Sequence, residues 1–327
     1  MIRRSLIAAG LLLATLVSTL VAALAPATAQ AWPTKPVRVI VPFTAGSAVD
    51  IVARAVMEQV STQIGQPVIV ENRGGAGGTL GVGMVAKADP DGHTILVHST
   101  THAVTATTYA NPGYDARKDF AAITALASVP NVLVTAPGKY KSVKEMIEAG
   151  RSKKGSLNYA SAGAGSGAHL NAERLLMAAG VKAQHIPFKG GPEALTEIMS
   201  GRVDFYFVPL PPARGLIAGK KVDALAVSSA ARAKALPNVP TTIEAGYPDS
   251  EYNFWMGMFL PVKTPAAIAA RLHDETIKAL KNPAVIARLN KVGAEPMPMS
   301  PAAFDAFVRK EIDINAKLVK AAGIEIK

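Results

Sequence analysis

Residues 156–170 read SLNYASAGAGSGAHL: a β-rich run ending at Ser161, a loop of glycine, alanine and serine, and an apolar stretch of helical spacing from about Ser166. A strand that feeds a small-residue turn into a helix leaves the first N–H groups of that helix, here those of Gly167, Ala168 and His169, unpaired at its positive end. Such a turn is an anion cradle. A second of the same kind, VPFTAGSAVD, occupies residues 41–50. Two cradles far apart in the chain predict two halves that close on one small anion.

Outward from these loops, short β-rich segments recur: PVRVIVPF (36–43), PVIVEN (67–72), TILVHS (94–99), NVLVTA (131–136), LNYAS (157–161), QHIPF (184–188), VDFYFV (203–208) and VDALAVS (222–228). Amphipathic runs at 48–64, 142–151, 166–179 and 192–200 lie between several of them. Alternating β and α segments predict an α/β fold of parallel-rich sheets flanked by helices, with ligands bound outside the carboxyl ends of strands. From Pro265 the chain turns mainly helical, in runs at 265–280, 283–292 and 301–321 that each open on proline. That tail belongs to neither half by sequence order alone. The pattern therefore predicts two lobes joined by two crossovers, near Val129–Leu133 and Glu251–Phe254.

The chain has 327 residues, no cysteine and a formal charge of +11. Its start has the layout of an export signal: Arg3 and Arg4, an apolar run from Leu6 to Ala25, then small residues with cleavage expected after Ala29 or Ala31. Removing residues 1–31 leaves 296, comfortable for two α/β domains, in a soluble periplasmic protein. The lack of cysteine excludes disulfides, thiol catalysis and cysteine-based metal sites. The positive charge is scattered, and its densest cluster (Arg151, Lys153, Lys154) has no interleaved aromatics. It reads as a solvated surface that favours anionic solutes rather than as a nucleic-acid site.

From Trp32 to the end the sequence resembles the exported solute-binding proteins of tripartite tricarboxylate transporters, the Bug (TctC-like) family. WPTKPVRVIVPFTAGSAVDIVAR, ENRGGAGGTLG, DGHTILVHS, PNVLV, LNYASAGAGSGAHL, HIPFKGGPEAL, GRVDFYF and ALPNVPTTIEAGYP carry the resemblance, in order. It implies a two-lobed periplasmic-binding-protein clamp, type II-like. Residues 32–131 and 254–327 would form domain 1 and residues 132–253 domain 2. It also implies a small organic carboxylate in the cleft (a di- or tricarboxylic, aromatic or amino acid), no cofactor, a monomer, and a membrane permease of a tripartite tricarboxylate transporter as partner. A periplasmic receptor that senses its ligand for a signalling system is the alternative. One carboxylate would be held by the loop Phe43 to Asp50 and the facing loop Ser161 to His169, partly through water. Two positions depart from the family pattern: Ser47 stands where a second glycine is common, and Val208 and Pro209 stand in place of an Asp-Asn pair. The first alters the rim of the cradle, the second removes a charge that would meet an amino group, and together they disfavour an amino-acid ligand.

The candidate ligand-binding residues are Phe43, Thr44, Ala45, Gly46, Ser47, Asp50, Ser99, Thr101, Ser161, Ala164, Gly165, Ser166, His169, Lys189 and Tyr206. Several have structural readings too. Ser47 and Asp50 have capping-box spacing, and Ser166 is placed as an N-cap. Asp50 would repel an anion unless it orients a bridging water. His169, in a first helical turn, is expected neutral, as a donor or a packing residue. Arg73 is expected to clamp loop carbonyls. Ser99 and Thr101 lie at the carboxyl end of a strand; Tyr206 or Phe207 faces the cleft; Lys189 either neutralises a distal carboxylate or is solvated.

Enzyme readings are weak. Gly163-x-Gly165-x-x-Ala168 fits the letters of a dinucleotide fingerprint, but Pro187, Phe188 and Lys189 stand where a ribose-binding acid is wanted. No G-x-S-x-G, P-loop or H-E-x-x-H occurs, and Ser166 and His169 share one helical turn, poor geometry for a triad.

Overall fold

The computed structural model describes residues 32–152 and 157–324. The leader assigned to residues 1–31, and Lys153 and Lys154, lie outside the described residues. The chain runs β1 (Val37–Val41), α1 (Ala48–Ile64), β2 (Val68–Asn72), α2 (Thr79–Ala86), β3 (Thr94–Ser99), α3 (Thr101–Thr108) and β4 (Phe120–Val129). It continues through β5 (Asn131–Thr135), α4 (Val143–Arg151), β6 (Leu157–Ser161), α5 (Gly167–Ala179), β7 (Ala183–Pro187), α6 (Gly191–Met199), β8 (Phe205–Pro209), α7 (Leu210–Ala218) and β9 (Asp223–Val227). It closes with β10 (Phe254–Pro261), α8 (Ala266–Lys281), α9 (Pro283–Lys291), β11 (Glu295–Pro296) and α10 (Pro301–Ala322).

Two sheets result, with strand orders β11-β4-β10-β3-β1-β2 and β7-β6-β8-β5-β9. The chain crosses from the first to the second at Pro130, between β4 and β5, and returns between Val227 and Phe254. Among the named strands of the described residues, parallel pairing is confined to β2-β1-β3 and β7-β6-β8; the remaining pairs are antiparallel. The sheets are therefore mixed rather than mostly parallel. The reason lies in the crossings, because strands that enter from the other lobe (β5 and β10) run against their neighbours.

Local signals set the elements that carry the cradles. β1 is the β-branched run VRVIV, buried except at Arg38, in register with β2 from Val37 opposite Val68 to Val41 opposite Asn72. α1 starts at the Ser47 cap and stops at Gly65 in left-handed conformation, φ 68°. In the first lobe Ile40, Leu96, Trp255, Phe259 and Phe304 form the core; in the second, Leu133, Tyr159, Leu175, Phe205 and Phe207 do so. Trp255 packs edge-on to Phe304, centroids 5.6 Å apart, and donates its Nε1–H to Glu311 at 3.1 Å.

Two histidines are sealed into the first lobe. His98 and His102 have no exposed surface. His102 stacks on Phe259 at 4.4 Å, and its Nε2 lies 3.3 Å from the Ala116 carbonyl. Burial holds both imidazoles below the usual range, His98 well below and His102 at about 4, with His98 lowered further by its neighbour His102.

Candidate functional site

The two cradle loops border one cavity. Ser47 and Ser166 both take extended N-cap backbones, and each side-chain oxygen accepts the N–H of the third helical residue: Asp50 N–H to Ser47 Oγ and His169 N–H to Ser166 Oγ, both 3.3 Å. Each hydroxyl thereby keeps its own proton to donate. Thr101 behaves alike. Its Oγ1 accepts from Ser99 Oγ at 3.2 Å and, across the lobes, from the Gly167 N–H at 3.0 Å. The N–H groups of Ala48, Val49 and Ala168 occupy first-turn positions that have no partner inside their helices.

These groups line one cavity of about 30 Å³, with Phe43, Ser99, Tyr206 and Phe254 among its walls. That volume holds about one water. The cleft is shut. Tyr206 is 1% exposed, and its hydroxyl has no hydrogen-bond partner among the described residues. A Cβ built on Gly191 would stand 3.3 Å from that oxygen.

Of the expected residues, Phe43, Ser47, Ser99, Thr101, Ser166 and Tyr206 line this cavity. Thr44, Ala45, Gly46, Asp50, Ser161 and Lys189 do not. Asp50 is 4% exposed, and its carboxylate accepts from the Gly46 N–H (2.9 Å), Asn72 Nδ2 (3.0 Å) and Arg54 Nε (2.9 Å). The reciprocal arm of the capping box thus reaches Gly46, one residue short of the cap, and the carboxylate is saturated within its own loop. Gly46 adopts φ 77°, a left-handed conformation that suits glycine. Arg73 does not clamp the loop carbonyls; it pairs with Glu71 at 2.9 Å. Asn72 takes that role, donating to the Phe43 carbonyl at 3.1 Å. Lys189 is exposed, and its backbone N–H donates to Glu193 at 3.1 Å.

Ala164, Gly165 and His169 line a different cavity of about 260 Å³ at the lobe seam, on the far side of the 162–168 loop. His169 Nδ1 accepts the Gly165 N–H at 3.2 Å, which requires that nitrogen to be unprotonated, and its ring stacks on His185 with centroids 4.0 Å apart. Ser161 Oγ lies 2.6 Å from His185 Nε2. Near them Tyr159 donates to Glu173, and burial raises both groups above their usual ranges. Stacked imidazoles cannot both direct in-plane lone pairs at one metal ion. Among the described residues, no cluster of three His, Asp or Glu suits a metal. A larger groove of about 830 Å³ runs along the back of the hinge past Pro130, Ala230 and Gly293, away from both cradles.

Residues from both lobes touch around the cavity. A Cβ on Gly163 would lie 3.1 Å from Gly77 Cα, one on Gly77 2.5 Å from the Ala164 carbonyl, and one on Gly190 2.0 Å from Thr44 Oγ1. Tyr109 donates to the Ala164 carbonyl at 3.2 Å. The glycines of the dinucleotide-like string therefore serve contact between lobes, not approach to a pyrophosphate. Ala48, Val49 and Ala162, inside the two expected loops, also line it; the lining residues that sequence reasoning missed are Gly191, Pro212 and Phe254, with Val208 and Pro209 read only as a departure from the family pattern. The cap spacing pointed to Ala48 and Val49, but no local signal marks Pro212 or Phe254 as cleft residues.

Residues 52–324 match the family described as tripartite tricarboxylate transporter family receptor, TctC. A protein of the tcbD-tcbE intergenic region of Pseudomonas sp. is 37% identical over 292 residues, 89% of this chain and 87% of that relative. A solved R. palustris protein with adipate superposes with a TM-score of 0.86 at 33% identity, covering 90% of this chain and 99% of the other. MatC from Rhodopseudomonas palustris, with bound malate, gives 0.84 at 32% identity, over 88% and 100%. Sheets, cradles and relatives agree: the chain belongs to the TctC, or Bug, family of periplasmic solute-binding proteins.

Proposed function

We propose that the protein captures a small organic carboxylate between its lobes, in the periplasm, and delivers it to a tripartite tricarboxylate-type permease, without turnover. One observation carries the reading: the hydroxyls of Ser47, Thr101 and Ser166, each left with a proton to donate, share a cavity with the amides that open α1 and α5. Such a set stabilises negative charge without a salt bridge. The adipate and malate in the related structures support a carboxylate. Because the shut cleft holds about one water, ligand entry requires the lobe of β5–β9 to swing away from the lobe of β1–β4 and β10–α10, and binding energy then favours closure.

A thermal-shift panel tests this. Organic acids that bind should raise stability as RT ln(1 + [L]/Kd), about 2.7 kcal/mol at a hundredfold excess over Kd. Equal stabilisation by the matching amides would sink the carboxylate reading.

Ser166→Ala removes both a cap and a donor. It should lower stability by about 1 kcal/mol and, separately, weaken ligand affinity. Lys189→Ala, on an exposed side chain outside the cavity, should leave affinity within about threefold, in line with the small worth of exposed pairs. Calorimetry on the two variants checks the contrast, and a larger loss for Lys189→Ala would reassign the site.

A further inference from the structure

We infer that Tyr206 and the opening of α6 form a second pole of the cleft, which selects a ligand carrying a further oxygen function besides its carboxylate. The inference rests on the carboxylate reading above and deepens it. Tyr206 is a wall of the cavity with 1% of its surface exposed, and its hydroxyl has no partner among the described residues. A buried hydroxyl left so is unfavourable unless something in the cleft bonds it. Burial also raises that hydroxyl above the usual tyrosine range, so it remains a neutral donor.

Beside the hydroxyl stands a helix start unlike the other two. α1 and α5 open on serines that take up one amide each. α6 opens on Gly190, which has no side chain to do so, and Pro192 brings no N–H. The amides of Gly191 and Glu193 have no partner among the described residues. Gly191 lines the cavity, and a Cβ built on it would be only 3.3 Å from the Tyr206 oxygen. The number of donors separates this pole from the first. Three hydroxyls (Ser47, Thr101, Ser166) and three amides (Ala48, Val49, Ala168) already border the cavity at the cradles. The two oxygens of one carboxylate accept about four hydrogen bonds. Tyr206 and Gly191 thus exceed what one carboxylate uses, and they suit a second oxygen. No lining residue carries a charge, so a carboxylate or an amide carbonyl can take that place.

Calorimetry tests the inference with simple acids, butanoate and hexanoate, against the same chains ending in a second carboxylate (succinate, adipate) or an amide (succinamate, adipamate). At least one oxygen-bearing probe should bind ten times more tightly than its parent acid, and the one that does so identifies the second group. Tyr206→Phe keeps the ring. It should bring that ratio to within threefold of one without lowering stability, since the hydroxyl it removes has no protein partner. A hydroxyl of purely structural role would instead cost stability and leave the ratio alone, which overturns the inference. A ratio near one in the unmodified protein overturns it as well. Equal weakening of both probes by Tyr206→Phe also does so, because it assigns Tyr206 to the first carboxylate. In each of these cases the simple acids still bind the unmodified protein and the carboxylate reading stands. Adipamide binding as tightly as adipate overturns the carboxylate reading itself, and silence from every probe overturns the inference.

Discussion

Gly190→Val should weaken ligand binding by about 5- to 150-fold and leave unfolding of the ligand-free protein nearly unchanged. Gly190 has φ −172°, extended backbone that any residue adopts, so no strain accompanies the substitution. The added Cβ would stand 2.0 Å from Thr44 Oγ1 on the other lobe, with Thr44 Cβ at 3.1 Å and Cγ2 at 3.3 Å, so rotating the threonine brings no relief. Overpacking of this kind costs about 1–3 kcal/mol, which converts to the stated loss. The cost falls on the closed form alone, because each lobe keeps its own core. Thr44→Ala in the same chain should recover most of the affinity. Scattering with saturating ligand should show contraction for the unmodified protein and little for Gly190→Val. Unaltered affinity in the variant would mean that the ligand binds without this contact between lobes.

The second large effect is on stability against acid. His102 titrates at about 4 in the folded protein and near 6.5 when unburied. Between those values the unfolded chain holds a proton that the folded chain refuses. The His102 contribution is therefore complete above pH 6.5 and lost as pH falls toward 4. A shift of that size corresponds to about 3 kcal/mol, and His98, lowered for the same reason, adds to it. Most of the loss precedes the titration of Glu71, whose carboxylate is held at about 2 by Arg38 and whose contribution fades only as pH falls from 4.5 toward 2. Urea unfolding at pH 7 and pH 4.5 measures the effect. His102→Gln should flatten the dependence, and equal stability of the unmodified protein at both pH values would refute it.

Some elements were legible because local chemistry alone determines them. The expected run 48–64 is α1 to the residue, since Ser47 caps one end and Gly65 terminates the other. β4 and β10 carried no such marks. β10, FWMGMFLP, is buried at every position, so it lacks the in-out alternation that announces a strand, and its neighbours come from distant sequence. α3, THAVTATT, is built of weak helix formers around Thr101 and is held by packing against α10. The cleft was legible in the same measure. Ser47, Thr101 and Ser166 followed from spacing and strand ends. Whether a loop residue faces one cavity or the other depends on a turn of the backbone, and that is why Gly165 and His169 fall on the seam side while Gly167 and Ala168 face the cleft.

The place of β10 has a consequence for biogenesis. It lies between β3 and β4, so the first sheet cannot be assembled until residue 261 has left the ribosome. Until then β4 lacks a partner on that side, and the cradle loop at 41–50 belongs to an unfinished lobe. The second lobe, whose strands all lie within residues 131–227, is free of that requirement, so the two lobes can be completed in the reverse of their order in the chain.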